Sequence, residues 1–171
     1  MTDHTLGPIV SSAHLATGNF PELSEFEFGL ILAGNAFNRW VVRAMSAAGY
    51  PDLSALEVLV LHTIRHRDRA KKLADICHVL NIEDTHTVNY ALKKLIKAGL
   101  VQDVRKGKEK SVMPTETGRA ACDRYREIRE ALLLRALGDL GVDPDRVSDL
   151  SALLRLMSGQ YDQASRAATA Y

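Results

Sequence analysis

Apolar residues recur along this chain at spacings that predict helices over most of its length. From Ser24 to Gly49 the stretch "SEFEFGLILAGNAFNRWVVRAMSAAG" places Phe26, Phe28, Leu30, Ile31, Leu32, Phe37, Trp40, Val41 and Val42 around nearly the whole helical circumference. A helix apolar on most sides must be buried on several faces, which in a chain this small suggests burial against a second subunit. Ser24 and Glu27 read as the capping box that starts this helix, with Gly49 and Pro51 at its end. Ser54 and Glu57 repeat the box before "SALEVLVLHTIRHR". A basic turn, "RHRDRAKK", leads to a short helix, "KKLADICHVL", which ends at Asn81.

Asp84 or Thr85 then caps a helix whose buried stripe is Val88, Ala91, Leu92 and Leu95, with Leu100 just beyond. Its other side carries Thr85, His86, Thr87, Asn89, Tyr90, Lys93, Lys94 and Lys97. Three short helices in sequence, the last two joined by a tight turn, make a helix-turn-helix unit. After Gly99, "LVQDVR" and "SVMPT" flank "KGKEK" and predict a two-stranded hairpin. Thr115, or Thr117, opens a long helix through about Leu137, with Ala121, Tyr125, Ile128, Leu132 and Ala136 at helical spacing. "GDLGVDPD" interrupts it. Asp143 and Pro144 start a last helix with Val147, Leu150, Leu153, Leu154, Met157 and Tyr161 on one stripe. Residues 1–22, rich in small and polar types, read as a loosely ordered arm.

Composition changes this picture little, but charge distribution changes it substantially. At 171 residues, 46% apolar and 25% charged, the chain has the make-up of an ordinary globular protein. The net charge of +1 is uninformative. Residues 62–119, however, hold thirteen Lys and Arg against seven Asp and Glu, whereas the remainder holds nine against fourteen. A region of net +6 on a molecule otherwise at −5 is the footprint of a nucleic-acid-contacting module. Two cysteines are too few for a disulfide framework. Without a long apolar run or a basic n-region before an apolar stretch, neither a membrane span nor secretion is expected, and the reading is a cytoplasmic protein.

The order of these segments resembles the winged-helix regulators of the MarR family. "LSALEVLVLHTI" is similar to that family's second helix, "KLADICHVLNI" to its support helix, and "TVNYALKKLIKAGLV" to its recognition helix and following Gly-Leu-Val. "MPTETGRA" resembles the Leu-Thr-x-x-Gly-Arg hallmark that closes the wing. The resemblance spans roughly residues 53–138. It departs at Tyr90, where the family often has arginine, and at the wing tip "RKGKEKS", where lysines replace the usual Asp-x-Arg. The fold it implies is mostly α with a small two-stranded β-wing. Its layout is a dimerisation helix over 23–50, a winged helix-turn-helix over 51–118, and C-terminal dimerisation helices over 119–171.

The function implied is a sequence-specific regulator, a repressor, that binds a pseudo-palindromic operator on double-stranded DNA as a homodimer. Short polar side chains near the start of a helix suit base edges in the major groove, and Asn can pair bidentately with adenine. Thr85, His86, Thr87, Asn89 and Tyr90 therefore form the reading face, while Lys93 and Lys94 lie where phosphates run. The helix N-terminus itself favours a phosphate. Arg105, Lys106, Lys108 and Lys110 form the wing contact, and Arg69, Lys71 and Lys72 a further backbone contact.

Each of these basic segments alone would equally suit a solvated surface, so their convergence on one helix-turn-helix carries the reading. Asn35, Arg39 and Trp40, with His62, suit a pocket for a small aromatic or anionic effector of the kind such relatives bind. The polar groups equally suit hydrogen bonds across a dimer interface. His62 and His66 stand one turn apart, a zinc-capable spacing more often met without metal, and Cys77 and Cys122 read as core residues. No catalytic motif or cofactor loop is present in the sequence. The rival classes are a winged-helix protein-interaction module and a metal- or redox-responsive regulator on the same scaffold.

Overall fold

The computed structural model describes residues 9–106 and 109–171, and they divide into two compact units, the first ending at Ile128 and the second starting at Arg129. In the first, a 3-10 turn at Ala13–Ala16 precedes α1 (Pro21–Ala47), α2 (Ala55–Arg65), α3 (Leu73–Leu80) and α4 (Thr85–Lys97). The hairpin strands β1 (Val101–Lys106) and β2 (Glu109–Pro114) follow, then α5 (Glu116–Arg129). In the second unit a π-helical stretch, Glu130–Leu134, leads into α6 (Arg135–Asp139), and α7 (Pro144–Ala168) comes last. The mostly helical fold with one two-stranded antiparallel sheet is therefore the expected one. No described helix is long and apolar enough to cross a membrane.

The core lies where the periodicity puts it. Val58, Val60, Leu61 and Ile64 of α2 pack with Ile76 of α3 and with Val88, Ala91, Leu92 and Leu95 of α4. The C-terminal half of α1 adds Val41, Ala44 and Met45, and α5 adds Ala121, Cys122 and Tyr125. Ser54 and Glu57 form the expected capping box, Asn81 ends α3 in the left-handed region (φ 52°), and Asp143 caps α7 with Pro144 at its first position.

The start of α1 differs from expectation. The helix begins at Pro21, whose fixed φ suits a first turn, so Ser24 lies inside it. Ser24 is buried, and its hydroxyl donates to the Leu15 carbonyl at 2.7 Å, tying the 3-10 turn to α1. Part of the presumed arm is thus fastened by a long-range hydrogen bond that sequence spacing imitates as a cap. After the wing, α5 ends at Arg129, and in the second unit the π-helical stretch and α6 end at Asp139, close to the expected end near Leu137.

The junction between α4, the hairpin and α5 explains the Thr-x-x-Gly-Arg segment. The Thr115 amide donates to the Leu100 carbonyl (3.0 Å) and the Thr115 hydroxyl donates to the Gly99 carbonyl (2.7 Å). The same hydroxyl oxygen accepts from the Gly118 amide (3.0 Å), which makes Thr115 the N-cap of α5. A side chain at Gly118 would run into the Leu100 carbonyl oxygen. Gly99, at φ +71°, supplies the left-handed stop of α4. Arg119 reaches back to the 3-10 turn His66–Asp68: its Nε donates to Asp68 Oδ1 at 3.1 Å, and its Nη1 to Glu116 at 2.8 Å. These bonds fix the hairpin at the end of α4.

A candidate nucleic-acid interface

Asp84 caps α4 with two bonds: Oδ1 accepts from the His86 amide (2.9 Å) and Oδ2 from the Thr87 hydroxyl (2.7 Å). These hydrogen bonds hold the Asp84 carboxyl below its ordinary range, so it is ionised at neutral pH. Its negative charge sits where a phosphate was expected against the helix N-terminus, and the Thr87 hydroxyl is engaged there too. Thr85, His86 and Tyr90 stand exposed on the outer face, while Asn89 is half-buried. Tyr90 exposes 65% of its surface, unusual for a tyrosine with a folding role alone.

Asn89 and Lys93 share a cavity of about 290 Å³ with Asp103, Lys110 and Ser111 of the hairpin. The structure thus brings together the outer side of α4 and the base of the hairpin. Lys94 stands apart from the expected phosphate contacts. Its ammonium lies 2.7 Å from Glu57 Oε1, and Glu57 is buried with its other oxygen accepting from the Ser54 amide at 2.9 Å. Burial raises the Glu57 carboxyl, but the bonds from Lys94 and Ser54 outweigh it and hold the group below its usual value. The same carboxylate therefore caps α2 and fastens α4, which fixes the orientation of α4 on the core. The spacing of Ser54 and Glu57 signals the cap but not the tie to α4.

On the hairpin, Arg105 is paired in register with Lys110, and the backbone of Lys106 with that of Glu109. Like charges directly opposed on a sheet destabilise it, so the exposed Arg105–Lys110 pair opposes folding of the hairpin that carries it. Lys108 lies outside the described residues.

In the basic turn, Arg69 and Lys72 are exposed but Lys71 is not. Only 6% of Lys71 is exposed, and its ammonium donates to the carbonyls of His66 (2.6 Å) and Arg69 (3.3 Å). Burial and the neighbouring Arg69 charge both depress its pKa. Lys71 therefore braces the turn instead of extending the basic surface, and its backbone pairs with Val112 of β2 in both directions, at 3.0 and 2.8 Å.

Of the residues grouped as an effector pocket, Asn35 and Arg39 are exposed on α1, and Trp40 is partly buried against the core. His62 instead lines a cavity with the 66–71 turn and α3 that contains no α1 residue. Its ring sits edge-on to Tyr125, with centroids 4.6 Å apart, and its Nε2 is closed off without a hydrogen-bond partner. Burial pushes its pKa below the ordinary 6.5, so the folded state holds it neutral. The unfolded chain protonates near that ordinary value and binds the extra proton as pH falls below it. Stability contributed by His62 should be complete above about pH 6.5 and decline toward pH 5. In urea unfolding at several pH values, His62→Phe should flatten that decline, and an unchanged slope would refute this assignment.

Cys77 and Cys122 are both buried, and burial pushes the Cys122 thiol up to about 11. Among the described residues no group of three His, Cys, Asp or Glu is placed to hold a metal ion.

The fold and the α4–hairpin site define the winged helix class: residues 53–118 match the winged helix DNA-binding domain family. Over most of the chain the fold is like that of solved MarR-family structures, the likeness that the sequence resemblance leads one to expect. A mutant of E. coli MarR complexed with operator DNA superposes with a TM-score of 0.65 at 20% identity, covering 82% of this chain and 99% of that one. A MarR-family regulator from Rhodococcus sp. RHA1 gives 0.64 at 18% identity, covering 82% and 95%. CouR from Rhodococcus jostii RHA1, bound to p-coumaroyl-CoA, gives 0.64 at 19% identity, covering 77% and 90%. At such identities the likeness establishes the fold. No curated protein matches the chain significantly.

Proposed function

We propose that this protein is a non-enzymatic, sequence-specific DNA-binding transcriptional regulator that acts in the cytoplasm as a homodimeric repressor. The carrying observation is the convergence of the exposed polar face of α4 with the like-charged Arg105–Lys110 pair at the base of the wing. A pair that destabilises its own hairpin is best understood as held for a polyanion. Thr85, His86, Asn89 and Tyr90 read base edges, Lys93 contacts phosphate, and Arg105, Lys106, Lys108 and Lys110 follow the backbone or minor groove.

Support for the dimer comes from apolar surface. On α1, Leu30, Ile31, Leu32 and Phe37 are exposed, and on α7 Val147, Leu150, Leu153 and Leu156 are exposed, with no buried residue along that helix. Two-fold pairing sets two α4 helices into successive major grooves, about 34–36 Å apart. A small aromatic or anionic effector shifts DNA affinity only by binding the DNA-incompetent spacing more tightly.

Fluorescence anisotropy on DNA from upstream of the protein's own gene, against scrambled DNA and across a salt series, tests this reading. Preference for the first DNA with a steep negative salt slope is expected. No binding at low salt would transfer the fold to a protein-interaction role. Asn89→Ala should relax the sequence preference, weakening the preferred DNA by about tenfold while leaving scrambled DNA nearly unaffected. An equal loss on both DNAs would remove Asn89 from base reading.

A further inference from the structure

The two sides of α4 differ in charge. Toward the hairpin, Lys93 and Lys110 line a cavity whose wall holds one carboxylate, that of Asp103. Toward α2, an open hollow is lined by Glu57 and Asp84 together with Tyr90 and Lys94. Asp52 lies close enough to add to the negative field around the Lys94 ammonium. A phosphate approaching from the α2 side would therefore meet carboxylates, and one approaching from the hairpin side would meet lysines.

On the acidic side three residues from two helices form a chain of contacts. The Glu57 side chain is 4% exposed, and its Oε2 is held by the Ser54 amide at 2.9 Å. Its Oε1 lies 2.7 Å from the Lys94 ammonium, which in turn stands 5.9 Å from the centre of the Tyr90 ring. Tyr90 and Lys94 are four residues apart, so they are neighbours on one face of α4. A cation at the face of an aromatic ring attracts it. To reach a phosphate, Lys94 would have to leave a buried carboxylate unpaired, which is costly. Tyr90, 65% exposed, would otherwise pay the full entropy of ordering its ring on contact with a partner.

We infer that Glu57 sets the sequence discrimination of α4 from behind: it withholds Lys94 from DNA phosphate and seats it as the support of Tyr90, which touches the bases. Glu57 and Lys94 are then positioning residues, and the inference rests on the DNA-binding reading above. A lysine on phosphate strengthens binding to every sequence alike. A seated tyrosine strengthens it only where its ring and hydroxyl meet the right base edges. Neutralising one cation of the helix thus lowers the affinity common to all DNA and leaves the sequence-dependent part intact.

Anisotropy of the full chain on preferred and scrambled DNA across a salt series tests this. Glu57→Gln keeps an acceptor for the Ser54 amide, since glutamine also serves at that capping position, but removes the charge that holds Lys94. Scrambled DNA should then bind about threefold tighter with a salt slope steeper by about one, and the preference should fall about fivefold. Lys94→Met should weaken the preferred DNA alone, by about fivefold, with the slope unchanged, and Lys94→Arg should retain the preference. In a Tyr90→Leu background, Lys94→Met should change the preference no further. A shallower slope and equal loss on both DNAs in Lys94→Met would place Lys94 on phosphate and overturn the inference. Additive effects of Lys94→Met and Tyr90→Leu would overturn it too. Thermal melts separate loss of fold from loss of reading, and if Glu57→Gln does not fold, the Lys94→Met and Tyr90→Leu cycle decides.

A second arm needs no DNA. Under limiting acetic anhydride, with sites read by peptide mass spectrometry, Lys94 should acetylate several-fold more slowly than Lys93 and Lys97, which are exposed on the same helix. In Glu57→Gln the Lys94 rate should rise toward theirs while the other two stay unchanged. If Lys94 reacts as fast as its neighbours in the wild-type chain, the tie is absent and the inference falls whatever the DNA result. If Lys94 is protected and released as expected but no DNA is preferred, the tie stands and the regulator reading is what fails.

Discussion

Gly118→Ala should lower stability by about 3 kcal/mol, with a drop in Tm of about 10 °C for a chain of this size. The added methyl would meet the Leu100 carbonyl oxygen, a backbone atom with no rotamer by which to move aside. The same oxygen accepts from the Thr115 amide, so relief of the clash must stretch or break a bond that seats α5. Leu100 is wholly buried, so its side chain is held by the core around it. The damage should concentrate at the hairpin junction, where amide hydrogen exchange of β1 and β2 should accelerate more than that of α2. Thermal unfolding of Gly118→Ala beside Gly29→Ala, where nothing surrounds the site, separates this clash from ordinary glycine effects. If the two variants melt alike, the close approach carries no energetic weight.

Lys110→Glu should act in opposite directions on folding and on binding. It turns the repulsive pair with Arg105 into an attractive one, adding about 0.5 kcal/mol to the hairpin. On the DNA-binding reading it also replaces a cation that faces the polyanion by an anion. DNA affinity should fall by about tenfold or more, and the slope of log affinity against log salt should become shallower by about one. Lys110→Gln, which removes the charge without reversing it, should fall between wild type and Lys110→Glu on both readouts. A more stable hairpin with undiminished DNA affinity would show that the pair serves some end other than DNA.

What could be read from the sequence and what could not differ by the range of the interaction involved. Local chemistry was legible: the stripe Val88, Ala91, Leu92, Leu95 sets the buried face of α4, Asp84 and Ser54 start helices, and Asn81 and Gly99 end them, by bonds or backbone angles that span a few residues. The same holds for the hairpin, whose two apolar-tending segments flank a lysine-rich tip. Partners distant in the chain were not legible. Lys71 and Lys72 are adjacent and chemically identical, yet one ammonium is folded onto carbonyls and the other residue is exposed, because Lys71 pairs with Val112 forty-one positions away. Lys94 has the position of a phosphate contact, yet its ammonium is paired with Glu57 on another helix. Ser24 had the spacing of a cap but bonds to Leu15. In each case the residue type was right for several environments and only the tertiary partner decided among them.

The absence of any buried residue along the 25-residue α7 has a consequence for how the protein would respond to its own abundance. An amphipathic helix whose stripe is only partly covered gains little from forming alone, since helical stability in proteins comes mainly from packing. On the dimer reading, the rest of its cover arrives only with a second chain, so folding of this region and association are one equilibrium, and Tm rises with protein concentration. The population able to span both half-sites then grows as the square of free chain at low copy number. A modest fall in synthesis would empty the operator more than proportionally, before any effector arrives.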